Sequence, residues 1–252
     1  MKKTMIFVLF SLFLLVDLSS ADTQLSPSWK GIRFHYRAQK LGSTIIKASL
    51  SIERGNPNYI VKAAVDTAGL VRPFFRMHNR FSSYVQEDGL EPYRYVKKID
   101  QKGIFSQKKL YTDILIFDND SCMVTVEHTS SPPTVEEISL PPHTYDPLAI
   151  FLKCFLESEV QDGQTIAMQI YDGIKVREVT FTATCGVTPT PLFGAVQAVC
   201  LESEVPFSSL GDKEGAIKIW YTNDERRFPV TIILELPSVG TVKFVLERIE
   251  IW

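Results

Sequence analysis

The chain has 252 residues, of which 45% are hydrophobic and 22% are charged. This composition is too apolar for a disordered chain and too mixed for a protein with several membrane spans. Its 27 Lys and Arg residues against 29 Asp and Glu residues leave a formal charge of −2, without the basic excess typical of nucleic-acid-binding proteins.

The N-terminal residues 1–21 have the pattern of a secretory signal peptide. Two lysines precede an apolar run over 5–16, and small residues follow up to Ala21. Such a run reaches about 18 Å as a helix, short of the ~30 Å hydrocarbon core, which disfavours a membrane anchor. The pattern predicts cleavage before Asp22 and no transmembrane segment after it. Since the first cysteine is Cys122, we expect an exported, soluble periplasmic protein rather than a lipoprotein.

Alternation of apolar and polar residues predicts antiparallel strands along most of the mature chain. The alternation is clearest over 46–53, 217–222 and 228–236. Further predicted strands, separated by turn signals, cover 30–38, 58–67, 79–86, 92–101, 104–117, 122–128, 164–171, 174–185, 196–204 and 240–251. Successive short strands favour hairpins over βαβ units.

One segment departs from this alternation. Asp146 is a predicted N-cap, Pro147 suits the first helical position, and a helix is predicted over 147–158. The helix is apolar nearly all round, with Lys153 as its polar exception, so it must be surrounded by other residues. We therefore predict a mainly β fold over 22–252, in which a large curved antiparallel sheet, an open or half barrel, wraps around one long apolar helix. A second, shorter helix is predicted within 69–78.

Four cysteines would reach an oxidising compartment after export: Cys122, Cys154, Cys185 and Cys200. They allow three pairings, or four free thiols that pack as small apolar residues. Cys185 and Cys200 flank a turn-rich stretch between two strand-like runs, which predicts a cross-strand disulfide. A Cys122–Cys154 bond is a second candidate.

The sequence contains no signature of catalysis or of metal binding. The four histidines are His35, His78, His128 and His143, and none has a metal-ligand spacing. There is no G-x-S-x-G elbow, no P-loop and no G-x-G-x-x-G. We therefore predict no catalytic residues, no metal and no cofactor.

Two further groups of residues have alternative interpretations. Arg227 ends the run 224–227, which is either a solvated hairpin tip or a ligand-headgroup site with a bidentate arginine. Phe74, Phe75 and Met77 either pack in the core or line a ligand mouth.

The order of these motifs resembles the DUF3108 family of exported bacterial proteins, a domain of unknown function. The longest similar stretch is 215–230, GAIKIWYTNDERRFPV, followed by Val-Gly at 239–240. The pair Gly31–Ile32 with Leu41–Gly42, the stretch LEPYRY at 90–95 and the stretch YDPL at 145–148 resemble that family's opening hairpin, a strand and the start of its helix. The resemblance implies a β-rich domain located in the cell envelope.

Two functions are consistent with these features. The first is a non-catalytic envelope protein that binds or carries an apolar ligand such as a lipid between sheet and helix. Its candidate ligand-binding residues are Phe151, Phe155 and Arg227. The alternative is an interaction or assembly module that pairs with an envelope protein through exposed sheet edges.

Overall fold

The computed structural model describes residues 29–40, 42–104, 108–129, 132–157, 160–207, 213–236 and 240–252. The predicted signal peptide and its cleavage site therefore lie outside the described residues.

Fifteen strands are present in the described part of the chain. They are β1 (Gly31–Lys40), β2 (Ser43–Arg54), β3 (Asn58–Thr67), β4 (Phe75–Gln86), β5 (Pro92–Gly103), β6 (Lys109–Asp118), β7 (Met123–His128), β8 (Thr134–Ser139), β9 (Thr144–Tyr145), β10 (Thr165–Tyr171), β11 (Val176–Thr190), β12 (Gly194–Phe207), β13 (Lys213–Thr222), β14 (Pro229–Leu236) and β15 (Gly240–Ile251). One α-helix, α1 (Pro147–Leu156), lies between β9 and β10, and a single 3₁₀ turn covers Gly69–Val71. Among these residues no helix is long and apolar enough to span a membrane.

All of these strands belong to one large open sheet. Its order is β8-β7-β6-β5-β4-β3-β2-β1-β15-β14-β13-β12-β11-β10-β9, and all pairs are antiparallel except β9 with β10. The sheet therefore consists of two meanders, β1 to β8 and β10 to β15, that are joined by pairing of the first strand with the last, and β9 adds to the outer edge of β10. The prediction of a mainly β fold with a large antiparallel sheet is confirmed.

The alternation seen in the sequence produces one apolar face, here called the inner face. On it, Ile32 pairs with Ile52, Phe34 with Leu50, and Ile52 in turn with Val61. Since side chains alternate between faces along a strand, one register aligns the apolar residues of neighbouring strands on the same side. Helix α1 lies against this face and contacts β3, β4 and β10.

The helix is shorter than predicted. It ends at Leu156 rather than at residue 158, because Glu157 adopts an extended conformation (ψ 124°). The structure therefore corrects the prediction of a long helix to one of ten residues. Its start is as predicted: Asp146 is the N-cap and Pro147 occupies the first turn.

The segment 69–78 is also corrected. In place of a helix it contains the 3₁₀ turn Gly69–Val71 followed by β4, which begins at Phe75. Thr67 Oγ1 accepts a hydrogen bond from the backbone N–H of Met77, so the start of β4 is held to the end of β3. Strands β8 and β9, which were not predicted, form the two edges of the sheet.

Candidate functional site

One end of the inner face, here called the packed half, is filled by α1. Phe155 on the helix lies 5.8 Å from Phe34 and 6.3 Å from Trp29 between ring centroids, and Phe151 lies 6.1 Å from Tyr221. Seven strand residues that belong to the same core cluster as the helix are completely buried: Ile32, Phe34, Ile52, Val61, Val85, Val230 and Leu246. The predicted ligand-binding residues Phe151 and Phe155 therefore lie within a packed aromatic core.

A buried carboxylate anchors α1 to the sheet. Asp146 accepts hydrogen bonds from the backbone N–H groups of Leu148 (2.8 Å) and Ala149 (3.1 Å), as an N-cap does. Its other oxygen accepts a 2.5 Å bond from Ser83 Oγ on β4. Burial raises the pKa of Asp146 to about 6, against the opposing effect of these three hydrogen bonds.

The other end of the helix is held by the third predicted ligand-binding residue. Arg227, in the β13–β14 turn, donates from Nη2 to the carbonyl oxygen of Cys154 at 2.8 Å. Its guanidinium also lies 5.8 Å from the ring centroid of Tyr221. A cation at a helix C-terminus stabilises the helix through its dipole and its unpaired carbonyl groups. In this structure Arg227 therefore contacts α1.

Away from the helix, some apolar residues of the inner face are partly exposed, although Leu50, Ile219 and Phe244 between them are buried. This region, here called the open half, includes eight apolar residues that pack against the core but are not fully covered: Ile46, Ala48, Ala63, Phe81, Ile217, Ile232, Leu234 and Val242. They come from both meanders, since β2, β3 and β4 lie on one side and β13, β14 and β15 on the other. The result is a partly exposed apolar surface next to the packed half.

Charged residues continue the same row of the inner face. Ala63 pairs with Phe81, Phe81 with Lys97, Lys97 with Asp113, and Asp113 with His128. Lys97 Nζ lies 3.1 Å from Asp113 Oδ2, and His128 Nδ1 lies 2.8 Å from Asp113 Oδ1. The side chains of Lys97 and Asp113 are buried, whereas that of His128 is 25% exposed.

This charged row also joins the two meanders. Lys97 Nζ donates a 3.0 Å hydrogen bond to the carbonyl oxygen of Asp172, in the turn between β10 and β11. A Cβ on the adjacent Gly173 would lie 3.3 Å from Leu115 Cδ1, so the turn approaches β6 closely. Burial, assisted by the nearby charge of Asp172, raises the pKa of Tyr171 to about 12.

Lys97 and Asp113 are not among the residues predicted from the sequence, and His128 is predicted there only as a histidine without a metal-ligand spacing. The sequence does contain a signal for this pair, because the alternation of the two strands places Lys97 and Asp113 at positions that should face the core. A charged residue at such a position requires a partner within the protein. Which strand supplies that partner depends on the sheet register.

A small cavity, partly open to solvent, lies among the described residues. It lies between the β6–β7 turn and the loop before α1, beside Cys122, Leu140 and His143. Its volume of ≈ 10 Å³ has room for about one water molecule. This cavity is therefore not a site for an organic ligand.

The cysteines correct the disulfide prediction. All four are free thiols, and the Cys185–Cys200 bond is absent. In the β11–β12 pair, Cys185 lies opposite Val199 and Cys200 lies opposite Thr184. The two side chains thus point to opposite faces of the sheet, and Cys185 is exposed while Cys200 is buried. The candidate Cys122–Cys154 bond is also absent.

Each histidine lies beside a carboxylate. His128 pairs with Asp113, as described above. The other three lie 3.3 Å (His35 to Glu250), 2.5 Å (His78 to Asp66) and 2.5 Å (His143 to Glu91) from a carboxylate oxygen. No group of three or more His, Cys, Asp and Glu residues in the described ranges is arranged to hold a metal ion.

The aromatic residues at the start of β4 are on the surface. Phe74 is 64% exposed and Phe75 is 36% exposed, which contradicts the core-packing interpretation. They lie at the end of the strands remote from α1, here called the far end, where the chain turns from β3 into β4. This position is compatible with the other interpretation, in which these residues line the mouth of a ligand site.

The fold is similar to that of a solved structure that is described as β-barrel-like. The crystal structure of a β-barrel-like protein of domain of unknown function DUF1849, from Brucella abortus, has a TM-score of 0.57 and 10% sequence identity. The match covers 89% of this chain and 98% of that chain, and it concerns the fold alone.

The family follows from the sequence model described as "Protein of unknown function (DUF3108)", which matches residues 32–247. The chain belongs to this family, which confirms the predicted resemblance. No curated protein matches the chain.

Proposed function

We propose that the protein is a non-catalytic binding protein of the bacterial periplasm that takes an apolar, chain-like ligand, such as the acyl chain of a lipid, in its open half. The difference in exposure along the inner face carries this proposal. Phe34, which contacts Phe155 of α1, is fully buried, whereas apolar residues such as Ala63, Phe81 and Ile232 remain partly exposed. A partly exposed apolar surface next to a filled core is one that a ligand can cover without unfolding the protein.

The same row supports an amphiphilic ligand. Apolar side chains at Ala63 and Phe81 are followed directly by Lys97, Asp113 and His128. A ligand whose chain covers Phe81 would bring a polar group to His128, the most exposed member of the charged row. Each buried methylene of the chain contributes about 0.8 kcal/mol before the costs of binding are subtracted.

This proposal moves the binding site away from the sheet–helix interface expected from the sequence. Phe151 and Phe155 pack against Tyr221 and Phe34, so a chain could enter there only by displacing aromatic rings. The alternative function, pairing with a protein through a sheet edge, has less support. Exposed edge strand β8 carries Glu136 and Glu137, and charged residues on an edge oppose the addition of another strand.

The test is the titration of a fluorescent fatty acid with two variants. Ala63→Phe fills the open half with an aromatic ring. Because the ring covers apolar surface that several methylene groups of the ligand chain would otherwise cover, we expect it to weaken binding at least tenfold. Ala64→Phe adds the same side chain to the next residue, which faces the opposite side of β3, and we expect it to leave binding unchanged. A wild-type protein that does not bind the probe, or an equal effect of both variants, would contradict the proposal.

A further inference from the structure

A patch at the far end of the strands combines exposed apolar and basic side chains. Leu70 is 77% exposed, Phe74 64% and Ile104 56%. The backbone N–H of Ile104 donates a 3.0 Å hydrogen bond to the carbonyl oxygen of Phe74, so the two turns that carry these side chains are adjacent. Phe75 extends this apolar surface towards the inner face. We call these four residues the apolar tip.

Basic residues surround the apolar tip. They are Arg72, Arg76, Lys102, Lys108 and Lys109, all of which are exposed. Two carboxylates lie nearby: Asp100 pairs with Arg76 at 3.1 Å, and Asp66 pairs with Arg80 at 3.0 Å. The tip is thus strongly cationic, although the whole chain has a formal charge of −2.

We infer that the apolar tip docks on the surface of a bilayer that contains anionic lipids. Large apolar side chains that are exposed on a turn, with lysines and arginines around them, complement the apolar acyl chains and the anionic headgroups of such a surface. The rings enter the boundary between headgroups and acyl chains, and the cations meet lipid phosphates. A protein partner would have to combine an apolar depression with a surrounding acidic ring, a requirement that every anionic bilayer meets.

Docking would place the open half near the bilayer, because its residues Ile46 and Leu234 lie towards the far end of their strands. The inference itself rests on the tip alone and is independent of the proposed function. Failure of fatty-acid binding in solution would leave it intact.

The experiment is co-flotation of the protein with phosphatidylcholine vesicles, with and without about a third phosphatidylglycerol. We expect binding to the anionic vesicles that weakens as salt rises, since screening shortens the range of the attraction. Leu70→Ser with Phe74→Ser should reduce binding at least tenfold. Arg72→Gln with Lys102→Gln should reduce it about twentyfold, because each cation near an anionic surface contributes a factor of about five.

Matched control variants carry the same changes at the opposite end of the strands. Val187→Ser with Leu192→Ser removes two exposed apolar side chains, and Lys30→Gln with Arg94→Gln removes two exposed cations. Both should bind as the wild type does. In a separate measurement, brominated lipid should quench the tryptophan fluorescence of the variant Phe74→Trp more strongly than that of the wild type, which contains three tryptophans elsewhere. No binding to vesicles, equal loss in tip and control variants, or a tip that binds a protein but not lipid would overturn the inference.

Discussion

The Oγ atom of Ser83 lies 2.5 Å from a carboxylate oxygen of Asp146, and both residues are fully buried. This contact joins the start of α1 to the middle of β4. It places an ionisable group in the core, where the helix N-cap and a strand meet.

A pH dependence of stability follows from the raised pKa of Asp146. Because this pKa is about 6 in the folded protein, against an ordinary value of 3.8 for an aspartate, the folded protein binds the proton more tightly than the unfolded chain. The stabilisation is full below about pH 4 and is lost as the pH rises through about 6. It corresponds to about 3 kcal/mol.

Asp146→Asn isolates this effect, since asparagine is also a good N-cap. We expect the free energy of unfolding of the wild type, relative to the variant, to fall by about 3 kcal/mol between pH 4 and pH 7. Urea unfolding at four pH values measures it, with the exposed Asp120→Asn as control. A difference that stays constant with pH would contradict the assignment.

The ion pair between Lys97 and Asp113 should be important for stability. Lys97→Met leaves a buried carboxylate with one fewer partner, and we expect a loss of about 3 kcal/mol in the free energy of unfolding. Combining it with Asp113→Leu should recover part of that loss, because no unpaired charge then remains. Guanidinium unfolding of the double-mutant cycle measures the coupling. Lys62→Met, in an exposed pair with Glu53, should cost less than about 1 kcal/mol, and an equal cost for both lysines would disprove the prediction.

The cysteines should react with alkylating reagents in a defined order. Cys185 is exposed and should be modified first in the native protein. Burial raises the pKa of Cys154 to about 12 and that of Cys200 to about 11, so both should react only after unfolding. Iodoacetamide labelling of protein purified without reductant, followed by peptide mapping, tests this order. Recovery of a peptide that contains Cys185 linked to Cys200 would instead restore the disulfide prediction.

Arg227 and Arg226 are neighbours with different surroundings. Arg227 is partly buried and donates to the Cys154 carbonyl, whereas Arg226 is exposed and pairs with Asp224. We expect Arg227→Gln to lower the free energy of unfolding by about 1–3 kcal/mol through the loss of a charged hydrogen bond. Arg226→Gln should change it by less than about 1 kcal/mol. Thermal unfolding of the two variants provides the comparison, and equal melting temperatures would contradict the role given to Arg227.

Much of the fold was predictable because it depends on local patterns. Alternating residues in the run 46–53 predict a half-buried strand, and Asp146 followed by Pro147 predicts a helix start; both are present. The unpredicted strand β8 shows the limit of such patterns. Its residues are nearly all exposed, so its sequence lacks an apolar alternation.

The candidate site was decided by long-range pairing. Only the tertiary structure brings β1 beside β15, aligns Lys97 with Asp113 and His128, and leaves the open half partly exposed. It also corrects the disulfide prediction. Cys185 lies opposite Val199, one residue before Cys200, so the two cysteine side chains point to opposite faces of the sheet. The sequence alone determined which residues alternate and where the helix begins, because these properties depend on near neighbours. Partners, faces and exposure depended on strand order and register, which are set by contacts between residues far apart in the chain.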